Sequence, residues 1–373
     1  MKLLVVSHAC VTPINQAFFA EVEDQSDWEI SIVAPATWES EYGNRSLERW
    51  QEFEGELNPI PVWLSGNIPL HMYRTFFVSL LRRIRPDVIY VHHEPYGAAT
   101  AQVYLANRFS IKRPIGFFTW QNIRKRYPIP FNHLERMVFR QSDFAVSGSE
   151  SARAVLREKG YDGPADIIAA GIDVEKFGHK DLEATSLPKT SCLIGFAGRI
   201  TEEKGLTTFV SALGSLSEQD WHFVLLGTGA HEPELRQQAQ QLGIGDRITF
   251  LGYVDHEEVP AYLSAMDLVV LPSETKPNWK EQFGRILIEA MASGTPVLGS
   301  DSGEIPNVIR TTGGGRIFPE GDIEACADAL LELVSDPELR KQLATTGQSY
   351  VKSNYTNAAL AGRFIQTIER TCL

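Results

Sequence analysis

Short apolar runs rich in β-branched residues recur along the chain, each followed by a stretch in which apolar and polar positions alternate with helical spacing. The runs Leu3–Ser7, Ile30–Ala34, Val88–Val91, Ile115–Thr119 and Phe144–Ser147 predict a first series of strands. A second series is predicted over Leu193–Ala197, Phe223–Leu226, Ile248–Leu251, Leu268–Leu271 and Val297–Gly299. Such alternation, with Gly or Pro at many junctions, predicts parallel sheets flanked by helices. Between the two series, Phe177–Thr190 is polar, has no clear period and carries Pro188 near its end, which suits a linker. The pattern therefore predicts two doubly wound α/β domains with a cleft between them. The expected boundaries are 1–175, a linker over 176–190, 191–352, and a C-terminal helix over 353–373 that packs back on the first domain. In folds of this kind ligands sit outside the carboxyl ends of the strands.

Composition adjusts this picture only slightly. A length of 373 residues leaves ample core for two domains, and 43% hydrophobic with 22% charged residues is a soluble globular balance. No apolar run approaches the roughly 18 residues of a membrane span. The run after Met1-Lys2 ends at Ser7-His8, which fits a first strand better than a secretion signal. Cys10, Cys192, Cys326 and Cys372 show no paired spacing, so neither a disulfide framework nor a zinc module is expected, and a cytoplasmic setting is.

The most informative chemistry lies in Glu281-Gln282-Phe283-Gly284-Arg285-Ile286-Leu287-Ile288-Glu289, followed by Ala290–Val297. Two carboxylates bracket a glycine where a loop becomes an apolar helix that stops at Ser293-Gly294. A helix start offers free backbone N–H groups to phosphate. At 1.5 Å per residue the carboxylates are about 12 Å apart along the path, too far to share a proton but well placed to grip both ends of a sugar nucleotide. Taken alone, the pattern also suits an ordinary amphipathic helix with solvated glutamates. Phe196–Gly205 supplies Gly198, Arg199 and Lys204 between a strand end and a helix start. Two cations there could clamp a diphosphate leaving group as charge develops on it, or could simply be surface charges on a crossover loop.

Together, E-x7-E over Glu281–Glu289 and G-R-x-x-x-x-K-G over Gly198–Gly205 resemble retaining glycosyltransferases of family 4. Smaller matches fit the same order: Gly171-Ile172-Asp173 with Phe177, Leu226-Gly227-Thr228-Gly229, and Ile248–Val254. The resemblance covers essentially residues 165–355. It implies the GT-B fold, two Rossmann-like domains facing across a cleft, and retaining transfer of a hexose-type sugar from a nucleotide diphosphate sugar, UDP-linked rather than GDP-linked. It further implies that Arg199 and Lys204 stabilise the diphosphate and that Glu281 orients the donor sugar. Gly198, Gln282, Phe283, Gly284, Arg285 and Ile286 would contact sugar or phosphate, Glu289 would bind ribose, and Tyr253 would lie beside the base. Neither a cofactor nor a metal is expected, since no Asp-x-Asp motif stands out.

The first domain departs from the family pattern. Ser7–Gln16 has none of the paired glycines that often follow the first strand, leaving Asn15 and Gln16 as polar candidates or as a plain helix turn. In Phe118-Thr119-Trp120-Gln121-Asn122, Gln121 stands where many members place a histidine; an amide can bond a hydroxyl but is no base near neutral pH. That suits the family's same-face route, in which the departing phosphate takes the acceptor proton. His92-His93-Glu94 closes a strand, but neighbours on a strand point to opposite faces, so a metal there would need ligands from elsewhere. Acceptor binding by His93, Glu94, Gln121 and Asn122 is expected instead, with simple loop packing of His93 and Glu94 as the alternative. The chain carries a net charge of −12, yet Arg74–Arg140 holds twelve Lys or Arg against three acids, with aromatics interleaved. Because this half receives the acceptor in such enzymes, a basic surface with aromatics suggests a glycan or lipid-linked acceptor and peripheral contact with an anionic membrane, unless the charges lie on different surfaces and merely balance the acidic remainder. No nucleic acid partner is expected. A catalytically silent sugar-nucleotide-binding or scaffold subunit, or a GT-B sugar phosphorylase or epimerase, remains the alternative.

Overall fold

The computed structural model describes residues 1–40, 43–178 and 187–372. The chain forms two compact units, one of Met1–Gly171 with Asn357–Leu373 and one of Ile172–Thr356. Of the linker expected over 176–190, residues 179–186 lie outside the described residues.

The first unit holds a seven-stranded parallel sheet. In spatial order its strands are Ala165–Ile167, Phe144–Ser147, Ile115–Thr119, Val88–Val91, Lys2–Val6, Glu29–Pro35 and Glu56–Ile60. The five expected strands are the five central ones, each buried on both faces and therefore continuously apolar. The two edges were not expected. Glu56–Ile60 is polar and carries Pro59, which a sheet tolerates at an edge, and Ala165–Ile167 is only three residues long. The C-terminal helix Asn357–Cys372 belongs to this unit: Leu360, Phe364 and Ile368 join the core formed with Phe19, Ile32 and Tyr90. Phe364 lies 4.9 Å from Tyr90 and 5.6 Å from Phe18.

The second unit holds a six-stranded parallel sheet in the order Ile248–Gly252, His222–Leu226, Leu193–Ala197, Leu268–Leu271, Val297–Ser300 and Gly315–Phe318. The last strand, again an edge, begins in a glycine run that hid it in the sequence. Chain order reverses between Leu193–Ala197 and Leu268–Leu271, and between Lys2–Val6 and Val88–Val91 in the first unit. In open α/β sheets such reversals form a crevice at the carboxyl ends of the strands, the usual place for a ligand.

Candidate active site

At the switch point of the second sheet, the helix Arg285–Ala292 starts from Gly284. Gly284 has φ +74°, and a Cβ there would lie 2.8 Å from the Leu271 side chain, so the turn into the helix excludes larger residues. The helix is apolar on most of its surface and buries Leu287, Ile288, Ala290 and Met291. Its first turn carries N–H groups that the helix cannot satisfy by itself. Beside it, Glu202–Lys204 forms a single 3-10 turn that ends at Gly205, and the helix Leu206–Ser215 follows. A Cβ on Gly205 would lie 1.9 Å from the carbonyl oxygen of Pro272, so this glycine lets the Lys204 turn press against the loop after Leu268–Leu271.

The two elements meet in an ion pair. Lys204 Nζ donates to Glu281 Oε2 at 2.6 Å, and the hydroxyl of the buried Ser273 donates to the same oxygen at 3.1 Å. Lys204 Nζ also lies 5.0 Å from the centre of the Trp279 ring, a cation–π contact. The backbone of Glu281 is fixed as well, its carbonyl accepting from the Glu304 N–H at 3.1 Å. One helical turn beyond Arg285, Glu289 is only 6% exposed and accepts from Arg285 Nε at 2.9 Å. Burial raises its pKa above the ordinary carboxylate value, and Arg285, His256 and Lys176 offset part of that rise.

These groups surround a cavity of about 310 Å³. Ala197 and Leu271 mark the ends of the two switch-point strands, Gly284, Arg285 and Ile286 form the helix start, and Lys204, Glu281 and Glu289 supply the charges. His256 and Val259 complete the lining. A space of this size, with a cation and a helix start between two carboxylates, can hold a diphosphate with hydroxyl-bearing groups on both sides. Of the other expected residues, Phe283 is buried, Arg199, Gly198 and Gln282 are exposed, and Tyr253 is 78% exposed; none of these five lines the cavity. The sequence reading missed Ser273, Trp279 and His256. Trp279, an aromatic in a polar loop two residues before Glu281, was the one visible signal.

In the first unit, the Asn15 side chain donates to the Ala9 carbonyl at 2.7 Å, and Gln16 is buried with its amide bonded to Cys10, Glu48 and Trp50 backbone groups. The Glu94 carboxylate accepts from the Thr119 hydroxyl at 2.7 Å and the Trp120 N–H at 2.8 Å, tying together the ends of two neighbouring strands. Burial pushes its pKa up to about 7, against the pull of those two bonds and of Lys159. Gln121 donates to the Tyr127 hydroxyl at 2.5 Å and accepts from Lys159 Nζ at 2.7 Å, while Lys159 also bonds Glu135 at 2.5 Å. Asn122 is buried. His93 is buried too, but next to His8 and Tyr73, at 2.8 Å and 3.2 Å, rather than next to Glu94's partners.

Two family models match the chain: one described as Glycosyltransferase Family 4 over residues 24–176, and one described as Glycosyl transferases group 1 over residues 179–350. Among curated proteins, the chain is similar to an alpha-D-kanosaminyltransferase of Streptomyces kanamyceticus, at 27% identity over 64% of this chain and 54% of that protein. It is similar to the lipopolysaccharide core biosynthesis mannosyltransferase LpsB of Rhizobium meliloti, at 29% identity over 59% of this chain and 63% of that protein. A phosphatidyl-myo-inositol mannosyltransferase of Mycobacterium leprae is 31% identical over 54% of this chain and 52% of its own. The chain thus spans under two thirds of the length of each of these relatives. Among solved structures, a sucrose-phosphate synthase from Thermosynechococcus elongatus has a TM-score of 0.73 at 20% identity, covering 99% of this chain and 98% of that one. HepE of Anabaena, solved in complex with UDP, has a TM-score of 0.73 at 15% identity, covering 99% and 100%. At these identities the likeness is one of fold, the GT-B fold.

Proposed function

Because the chain belongs to glycosyltransferase family 4, we propose that it moves a hexose-type sugar, with retention, from a nucleotide diphosphate sugar to a hydroxyl of a polysaccharide or lipid-linked acceptor. The observation that carries this reading is the cavity of the second unit, with Lys204 and a helix start between Glu281 and Glu289. The donor diphosphate would sit on the first turn after Gly284 and draw Lys204 away from Glu281. Glu281 would then be free to orient the sugar, while Glu289 would hold the ribose diol. Arg199, exposed at the strand end, would add its charge to the diphosphate. Neutralising that leaving group is where fixed cations lower the barrier most. The leaving phosphate would accept the acceptor proton on the same face, so no enzyme base is invoked. This agrees with Gln121, whose amide is held between Tyr127 and Lys159.

A UDP-sugar is the favoured donor and a GDP-sugar the competitor, since one similar protein, from Mycobacterium tuberculosis, is a GDP-mannose-dependent mannosyltransferase. Thermal stabilisation by UDP, GDP and ADP decides this by mass action. A selective shift with one of them fixes the base and supports the transferase reading. No shift with any of them puts the transferase reading behind a scaffold subunit that binds no nucleotide.

An acceptor at a membrane surface is supported by the first unit. Arg82, Arg83 and Arg85 are exposed, as are Arg124, Lys125 and Arg126. The paired residues Val62–Trp63 and Met72–Tyr73, with the loop between them, expose Trp63, Leu64, Ile68, Leu70 and Met72, and the nearby Phe76 is 85% exposed. Arg74 lies over the Trp63 ring at 5.8 Å. Aromatic and apolar groups beside arginines suit an anionic lipid interface. Flotation with anionic vesicles should capture the protein at low salt and release it at high salt; no capture at low salt would remove the idea. Among the described residues no helix is long and apolar enough to cross a membrane.

A further inference from the structure

The switch point of the first sheet is the second place where this fold prepares a crevice, and the chemistry there is different. His8 follows the strand Lys2–Val6 and His93 follows Val88–Val91, the two strands between which the chain order reverses. A third histidine, His71, arrives from the loop that joins Val62–Trp63 to Met72–Tyr73. Each of the three offers one ring nitrogen, and these atoms all lie within 4.8 Å of one another. We propose that His8, His71 and His93 bind a single divalent first-row transition-metal ion of the zinc class through three imidazole nitrogens, with a fourth position left for an oxygen ligand.

The strongest argument is His71. Its ring is 1% exposed, and its Nδ1 faces two backbone carbonyls, Ile68 at 3.0 Å and Asn67 at 3.2 Å. A ring nitrogen facing carbonyl oxygens carries the proton, so Nε2 is left with a lone pair. That Nε2 is buried and has no hydrogen-bond partner. Buried polar atoms are nearly always satisfied, and a lone pair left over inside a cluster of imidazole nitrogens is placed to accept an ion. The carbonyl contacts are also what orients a metal-binding histidine and sets its tautomer.

His93 has comparable support. Its Nε2 lies 3.2 Å from the Tyr73 hydroxyl, and its Nδ1 faces His8 Nδ1 at 2.8 Å. Two imidazole nitrogens this close must share one proton, and an ion at about 2.0–2.1 Å from each replaces that proton once His8 adopts its other tautomer. Nitrogens around a tetrahedral ion stand about 3.4 Å apart, so small ring rotations bring the three to that spacing. Trp38 stands 4.9 Å from both His8 and His71 and walls the site, while His8 is partly exposed. An all-nitrogen set selects zinc-class ions over magnesium or calcium, which take oxygen. Bound there, the ion would fasten the apolar 64–71 loop to the ends of two central strands. The sequence alone opposed a metal at His92-His93-Glu94 for want of other ligands; the fold brings two from elsewhere.

The test uses tag-free, chelator-treated full-length protein titrated with cobalt(II), with the ligand-field absorption of a tetrahedral nitrogen site as the signal and zinc as competitor. The expected result is one ion per chain, displaced by zinc and not by magnesium, with a raised melting temperature in zinc. His71→Asn should abolish the cobalt band while keeping the far-ultraviolet circular dichroism of the parent. His92→Asn, whose ring faces Ser7 at 3.2 Å, should keep the band. The absence of any cobalt band with no zinc retained after dialysis would overturn the proposal. Full stoichiometry in both His71→Asn and His8→Asn would overturn it equally.

Discussion

Lys204 and Glu281 hold each other at 2.6 Å, and each is also expected to serve the donor, so neither acts alone. Lys204→Met should lower kcat by about 10²–10³-fold, the usual cost of removing one group that stabilises developing charge. Glu281→Ala should do the same, and the double variant should lose less than the product of the two, because contacting residues are not additive. Steady-state kinetics on the three variants checks this, and simple additivity would contradict the shared role. Glu289 separates stability from binding. Its native pKa is raised by burial, so the folded state holds a proton that the unfolded chain has already released, and stability falls as pH rises from about 4.5 through the raised value. Glu289→Gln should therefore melt higher than the parent at pH 8, and the gain should shrink towards pH 5. Its nucleotide affinity should fall about 10–100-fold, since a hydrogen bond to a charged group is lost. Melting curves at the two pH values, with a nucleotide titration, read both effects. These residues were legible because Glu281, Gly284 and Glu289 fall within one loop and one helix, whereas His256 reaches the cavity and Ser273 reaches Glu281 from separate loops with no local pattern.

At the level of elements, the helix Arg285–Ala292 depends on the glycine just before it. Gly284→Ala meets both a positive φ and a Leu271 side chain at 2.8 Å, so about 1–3 kcal/mol of stability should be lost, read from the urea midpoint. Nucleotide binding should weaken further, since the turn that presents the N–H groups is displaced. The ten strands legible in the sequence include every internal strand of both sheets, where burial on two faces demands continuous apolar runs. Glu56–Ile60, Ala165–Ile167 and Gly315–Phe318 escaped notice for a common reason. Each is an edge, half covered, and its place is set by pairing with a neighbour rather than by its own side chains.

Across the whole molecule, the chain leaves its first unit at Gly171 and rejoins it at Asn357, so the last helix supports a core laid down by the first strands. Phe364→Ala should cost the first unit about 3–5 kcal/mol, as burial of a phenylalanine suggests. The nucleotide-induced shift of the second unit should survive, and differential scanning calorimetry with and without nucleotide distinguishes the two. The sequence by itself determined the fold class, the internal strands and the charged motifs around Lys204, Glu281 and Glu289. All of these rest on local periodicity or on residues within a few turns of one another. Only the tertiary structure decided the edge strands, the pairing of Lys204 with Glu281, the tethering of Gln121, and the meeting of His8, His71 and His93. Those depend on which strand ends the reversal of chain order brings together, and no spacing along the chain encodes that distance.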